Sequence, residues 1–325
     1  MNQPQDSHDW MEFSDPVRLV RDPWVSVTIS TYQHTPWIAQ AIEGVLGQRC
    51  AFPFEVIIGE DGSTDGTLDI CRDYQRKYPE TIRLLAAGRN TGSKANLHRI
   101  FSQVRGRYHA LCEGDDWWCD PLKLQEQVSF LETHPECSLS FSRTRIVRET
   151  ESGQMDVGCI GPDLGKILFT PPEFLKTYLA HTSSLVFRPL PAYPDWFWDP
   201  RCLGDNALHL LCMERGSAGF LDRITSVYRI TGLGIWSSSG DVARARAIRD
   251  STQLLCRHVQ ATVPVWGGLI EYRYMLAEIK LARAMLKAGL KAEARKQWRD
   301  IVTAGAIWHH PRLWWKALKL AARVR

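Results

Sequence analysis

The sequence predicts an α/β fold: a mostly parallel sheet with flanking helices, followed by a C-terminal helical extension. Three observations carry this. Apolar strands alternate with amphipathic helices from Trp24 to His134. Successive strands end in clusters of polar residues, and beyond Gly240 only helical periodicity remains.

The elements follow in order. Residues 1–22 are polar and acidic and read as a poorly ordered lead-in. Trp24-Val25-Ser26-Val27-Thr28-Ile29-Ser30 alternates like a strand, and Pro36 to Gln48 has helical spacing at Ile38, Ile42, Val45 and Leu46. Phe54-Glu55-Val56-Ile57-Ile58 is a buried strand, Asp65 to Tyr78 a helix, and Ile82-Arg83-Leu84-Leu85 a strand. Gly92 to Val104 reads as a helix, Tyr108 to Cys112 as a strand, and Pro121 to His134 as a helix with Pro121 in its first turn. Residues 149–172 are rich in Gly, Pro and charge and read as a loop. His181 to Phe187 is a strand and Asp205 to Arg215 a helix. Tyr272 to Ala288 and Lys291 to Ala304 form a helical hairpin joined at Gly289. The expected organisation is a lead-in at 1–22, an α/β domain at 23–238 and a helical extension at 239–325.

Composition excludes several classes. With 44% hydrophobic and 23% charged residues the chain is globular rather than disordered. No apolar run suits a membrane span, and no signal peptide opens the chain. Nine scattered cysteines without a C-x-x-C pair suggest reduced thiols and a cytoplasmic setting. Net charge is +4, but from Leu269 onward 13 Lys and Arg face 4 Asp and Glu, so the body is acidic and the tail basic. The basic residues cluster away from the strand-end edge, which argues against nucleic acid as a partner.

Three polar sets lie at successive strand ends: Ser30-Thr31-Tyr32, Glu60 to Asp65, and Glu113-Gly114-Asp115-Asp116. Right-handed crossovers gather such ends on one edge, where ligands bind. Each set alone also suits a capped turn. Together with Asn90-Thr91-Gly92 and Asn96, and with Trp117 and Trp118 closing the last motif, they resemble the GT-A nucleotide-sugar-binding domain of family-2 glycosyltransferases, over about residues 22 to 237.

The resemblance implies a Rossmann-like GT-A fold and a metal-dependent inverting transfer of sugar from a nucleotide-diphosphate donor. UDP is the favoured nucleotide, and the acceptor is a glycan or lipid-linked hydroxyl in polysaccharide biosynthesis. Thr31 and Tyr32 would flank the base and Asp61 would accept a hydrogen bond from it, while Asp65 caps the next helix. Arg89 or Lys94 meets either the pyrophosphate or solvent. The acidic cluster resembles the D-x-D motif, with Glu113 in the first position, Asp115 in the second and Asp116 beside them. Its carboxylates would hold Mn²⁺ or Mg²⁺. Asp205, at a helix start, matches the general base and equally suits an N-cap.

The segment from Tyr228 to Ser237 resembles one that closes over the donor, with Thr231 where relatives often carry His; His181 is the alternative. Trp117, Trp118, Trp196 and Trp198 suit an acceptor cleft or core packing. The tail from Trp308 to Leu320 suits peripheral contact with the inner face of a membrane, or packing on protein. A non-catalytic nucleotide-sugar-binding protein and a sugar nucleotidyltransferase are the competing readings. The second lacks the expected Gly-rich basic loop, since Gln33-His34-Thr35-Pro36 follows strand one.

Overall fold

A computed structural model describes residues 10–151, 153–163, 165–232 and 239–303, together with 310, 313, 314, 316, 317, 319 and 320. The chain divides into two compact units. One comprises residues up to 174, 178–193 and 215–231; the other comprises 175–177, 194–214 and the chain from 232.

The first unit is built on strands β1 (Trp10–Phe13), β2 (Val25–Thr31), β3 (Phe54–Glu60), β4 (Ile82–Ala87) and β5 (Tyr108–Glu113). Helices α1 (Ile38–Leu46), α2 (Thr67–Lys77) and α3 (Ser93–Phe101) connect β2 to β5. Strands β2 to β5 pair in parallel in the order β4-β3-β2-β5. Both faces of β2 are buried, as a central parallel strand requires. Val25, Val27 and Ile29 enter the core, whereas the polar alternates are buried in pairs. Thr28 Oγ1 lies 2.9 Å from His109 Nε2, and Ser26 donates to Glu55 at 2.6 Å.

Part of the expected lead-in is ordered. Strand β1 pairs antiparallel with β4, and Arg83 binds Glu12 at 2.8 Å. No burial pattern marks this strand, because its middle residues face solvent.

After β6 (Trp117–Trp118) and α4 (Lys123–Thr133), the sheet continues through β7 (Cys137–Thr150), β8 (Gly153–Ile160), β9 (Leu168–Phe169), β10 (Val186–Phe187) and β11 (Ser217–Ile230). Short β10 joins β5 to β7 antiparallel, and β11 runs parallel to β7. The expected loop at 149–172 is instead largely the β7–β8 hairpin and β9, and the expected strand at 181–187 is a 3-10 turn, Thr182–Ser184, leading into β10. Helix α5 (Pro171–Leu175) follows β9.

The second unit contains α6 (Gly204–Met213), α7 (Asp241–Thr262), α8 (Gly267–Lys287) and α9 (Lys291–Thr303). The expected hairpin is present, with α8 starting five residues earlier than the periodicity suggested. Gly289, at φ +78°, ends α8 in the left-handed region, while Leu290 N–H donates to Met285 at 2.9 Å. Leu313 and Ala317 pack with Met275, Ile279 and Ile301, and Leu320 packs with Ala282. Among the described tail residues, Leu313, Ala317 and Leu320 are thus buried against α8 and α9, whereas Trp314 is exposed. No described helix is long and apolar enough to cross a membrane.

Candidate active site

The parallel register aligns the strand ends. Thr31 stands opposite Glu60 and Ser30 opposite Glu113, so three polar turns meet at one edge. Backbone hydrogen bonds fasten them: Gly114 N–H to Ser30 at 2.8 Å and Asp61 N–H to Thr31 at 3.1 Å. A Cβ on Gly114 would lie 2.7 Å from both Thr31 Oγ1 and His34 Nδ1, so only glycine permits this approach.

Asp61 is buried and internally satisfied. It accepts from Thr91 N–H at 3.1 Å, Thr91 Oγ1–H at 2.5 Å and Gly92 N–H at 2.8 Å, with Arg99 3.8 Å away. Asn96 donates to Gly59 O at 2.8 Å and to Ser30 Oγ at 3.2 Å. These bonds hold the β3–α2 and β4–α3 turns together. Asp65 accepts from Thr67 N–H at 3.0 Å and from Thr35 N–H at 3.0 Å. Burial is the largest single influence and raises its carboxyl, but the Thr67 and Thr35 hydrogen bonds together outweigh it and bring it to about 2. Tyr32 is exposed at the same edge, and Lys94 lies half-buried in the first turn of α3.

The two neighbouring aspartates differ sharply. Asp116 is 1% exposed and accepts from Ser183 Oγ–H at 2.7 Å and Arg229 N–H at 3.0 Å. Burial, reinforced by the Asp115 charge, holds its carboxyl well above the usual range. Asp115 is 19% exposed, and its carboxylate accepts no hydrogen bond among the described residues. Its carbonyl is gripped by Arg229 Nε at 2.9 Å. Arg229 also donates to Glu149 at 2.6 Å and Gln40 at 2.5 Å, and stacks 4.5 Å over Trp117. The result is a rigid turn that presents one unspent carboxylate.

His34 stands beside it. Its Nδ1 lies 3.2 Å from Thr31 Oγ1, and its Nε2 lies 4.0 Å from Asp115 Oδ2. Burial lowers its pKa despite the charges of Asp115 and Asp65. His34 was missed as a site residue; its spacing three residues after a strand-end threonine was the available signal. His181 is nine-tenths buried, its Nδ1 3.7 Å from Asp116, and its ring lies against Tyr228.

Among the described residues no three His, Cys, Asp or Glu side chains gather to enclose a metal. Asp115 and half-buried Glu113 at the end of β5 are hard oxygen donors. They suit an ion shared with a diphosphate rather than one caged by protein. Trp117 is half-buried under Arg229. Trp118 is 3% exposed and donates to Ser183 O at 2.9 Å, so it is a core residue and not the acceptor platform expected of it.

In the second unit, Asp205 occupies the first turn of α6 and accepts from Asn206 N–H at 2.7 Å. Arg273 of α8 donates to Asn206 at 2.7 Å and to Leu175 O at 2.9 Å. Trp198 packs edge-on to Phe197, and Trp196 donates to His258 at 3.1 Å. Of the segment expected to close over the donor, residues 233–237 lie outside the described residues, as do 308, 309, 311, 312, 315 and 318 of the tail.

A central parallel sheet with an acidic turn at its C-terminal edge, extended through an antiparallel link to further strands, defines a GT-A domain. Residues 26–181 match the model of glycosyl transferase family 2. An uncharacterized protein of Mycobacterium tuberculosis is 35% identical over 217 residues, 66% of this chain and 61% of that protein. This chain therefore spans about three fifths of the length of that relative. Two solved structures share the fold. The mannosyltransferase PcManGT of Pyrobaculum calidifontis, in complex with GDP-Man and Mn²⁺, has a TM-score of 0.56 at 17% identity, covering 93% of this chain and 86% of that one. S. aureus TarS 1-349, in complex with UDP-GlcNAc, has a TM-score of 0.53 at 15% identity, with 80% and 81% covered. Over residues 26–181, then, this domain is similar to glycosyl transferase family 2.

Proposed function

We propose that this chain is a metal-dependent inverting glycosyltransferase. It moves a sugar from a nucleoside-diphosphate donor, with a UDP-sugar as first choice, to a hydroxyl of a glycan or lipid-linked acceptor. The observation that carries the reading is Asp115, whose carboxylate accepts no hydrogen bond among the described residues, on a turn held by Arg229 at the strand-end edge. Solved proteins of the same fold hold UDP-GlcNAc in one case and GDP-Man with Mn²⁺ in the other, which supports the donor class and the metal.

In this reading Thr31 and Tyr32 receive the nucleoside, and Asp61 keeps their turn in place through Thr91 and Gly92. Asp115 and Glu113 hold Mn²⁺ or Mg²⁺, which when bound offsets charge on the departing diphosphate. Lys94 adds positive charge for the phosphates. Asp116 contributes from within by fixing the turn to Ser183 and Arg229. Asp205 takes the proton from the acceptor hydroxyl as its oxygen bonds to the anomeric carbon and the bond to the diphosphate oxygen breaks, inverting that carbon. Trp117 and Trp198 are the aromatic candidates for the acceptor side.

The test is a panel of nucleotide sugars with Mn²⁺ or Mg²⁺, following nucleoside-diphosphate release by wild type, Asp115→Ala and Asp205→Asn. We expect metal-dependent release from one donor, abolished by Asp115→Ala and reduced without loss of donor binding by Asp205→Asn. Donor binding that never proceeds to release, with acceptor candidates present, would favour a non-catalytic nucleotide-sugar-binding protein.

A further inference from the structure

We infer that His34 is a metal ligand of this site, binding the divalent ion through Nε2 together with the carboxylate of Asp115. The inference rests on the metal-dependent reading above and adds a nitrogen ligand to it.

The geometry points there by several routes. Nε2 of His34 and Oδ2 of Asp115 face each other at 4.0 Å, beyond hydrogen-bond distance, so neither atom satisfies the other. Two neighbouring ligands about 2.1 Å from one ion stand roughly 3.0–3.4 Å apart, so the pair lies about 0.6–1 Å wider than a coordinated one and closes on the ion by a small side-chain rotation. The other ring nitrogen is held by Thr31 Oγ1 at 3.2 Å. With the proton on Nδ1 donated to Thr31, the Nε2 lone pair is directed at the gap, the outer-shell arrangement that ligating histidines commonly use. Gly114 completes the fit, since a side chain there would strike both His34 Nδ1 and Thr31 at 2.7 Å. The edge of Trp37 lies against the ring, 6.0 Å between centroids, and limits its swing. Only two or three protein ligands converge, so donor phosphate oxygens and water complete the shell.

An imidazole ligand changes which ion the site prefers. Carboxylate and phosphate oxygens alone suit Mg²⁺ as well as Mn²⁺, whereas nitrogen favours the transition metal. The site is therefore expected to select Mn²⁺ over Mg²⁺, through a residue outside the acidic turn.

The experiment uses the full chain with UDP and Mn²⁺, without any acceptor. Electron paramagnetic resonance gives the Mn²⁺ affinity, and electron spin-echo modulation detects imidazole nitrogen bound to the ion. Wild type and His34→Phe are compared after circular dichroism confirms equal folding. We expect nitrogen coupling in wild type and none in the variant, with Mn²⁺ bound at least tenfold more weakly and the Mn²⁺ preference over Mg²⁺ reduced by a similar factor. Mn²⁺ bound by wild type without nitrogen coupling, or coupling that survives in His34→Phe, overturns the role of His34 and leaves the metal-dependent reading intact. Failure of wild type to bind Mn²⁺ with UDP present overturns both. Should His34→Phe not fold, the nitrogen coupling of wild type is compared with that of Thr31→Val. That substitution frees Nδ1 and is expected to weaken the coupling; an unchanged signal overturns the assignment.

Discussion

Replacing Lys123 with methionine tests the electrostatics beneath the acidic turn. Lys123 is 1% exposed; its Nζ donates to Gln127 and to Ser184 O at 3.2 Å, and lies 4.7 Å over the ring of Trp118. No carboxylate forms an ion pair with it among the described residues, and burial lowers its pKa from 10.5 to about 7. A fall of that size corresponds to roughly 4–5 kcal/mol favouring the neutral amine in the folded state. The folded pKa lies below the unfolded one, so between about pH 7 and 10.5 the unfolded chain binds more protons and stability rises with pH. The penalty is complete below about pH 7 and shrinks by about 3 kcal/mol between pH 7 and 9.5. Methionine has similar bulk and does not titrate. Unfolding free energies from urea titration, taken for both proteins at pH 7 and pH 9.5, isolate the effect because the other ionisable groups are shared. The stability of Lys123→Met relative to wild type should fall by about 1–3 kcal/mol at the higher pH, the lower end allowing for local relaxation. A difference constant within about 0.5 kcal/mol, the scatter of neutral surface changes, would refute the reasoning.

Two further outcomes follow from the turn itself. Arg229→Lys keeps the charge but loses the fork that reaches Asp115 O, Glu149 and Gln40 together; it should cost about 2–3 kcal/mol in urea unfolding, and a loss below about 0.5 kcal/mol would mean the clamp contributes little. Gly114→Ala forces Thr31 and His34 away from contacts of 2.7 Å; it should cost about 1–3 kcal/mol and weaken Mn²⁺ binding in the presence of UDP, both read on the same preparation.

The first half of the sheet was legible because β2 to β5 alternate with helices that each bury one stripe, as Ile38, Ala41, Ile42 and Val45 do in α1. Asp65 stands one residue before the N-cap, which is Gly66, and still accepts from the first helical N–H, that of Thr67. Legibility fails where burial and periodicity part. Strand β8 is exposed almost throughout and its composition is that of a loop; it is a strand because β7 supplies its hydrogen bonds. At 181–187 the apolar run suggested a longer strand, yet Ser183 and Ser184 turn inward to serve Asp116 and the carbonyl of His181. The same limit separates Asp115 from Asp116. Adjacent carboxylates look alike in a sequence, and what buries one of them is the N–H of Arg229, which lies 113 residues away. Trp118 likewise joins the core through a carbonyl 65 residues on.

That long-range bond also sets a schedule for biosynthesis. At about 5–20 residues per second, the ribosome needs roughly 6–23 s after adding Asp116 to reach Arg229. During that interval the nascent chain already contains β2 to β5, but the Asp116 carboxyl, costly to bury charged, still lacks the Arg229 N–H that joins Ser183 in satisfying it. The βαβ half can form while the acidic turn is still open to water, and the turn closes only when β11 docks beside β7. Chains released early, before residue 229, would thus carry a loose acidic turn, so the order of synthesis makes that part of the strand-end edge mature after the β2 to β5 half.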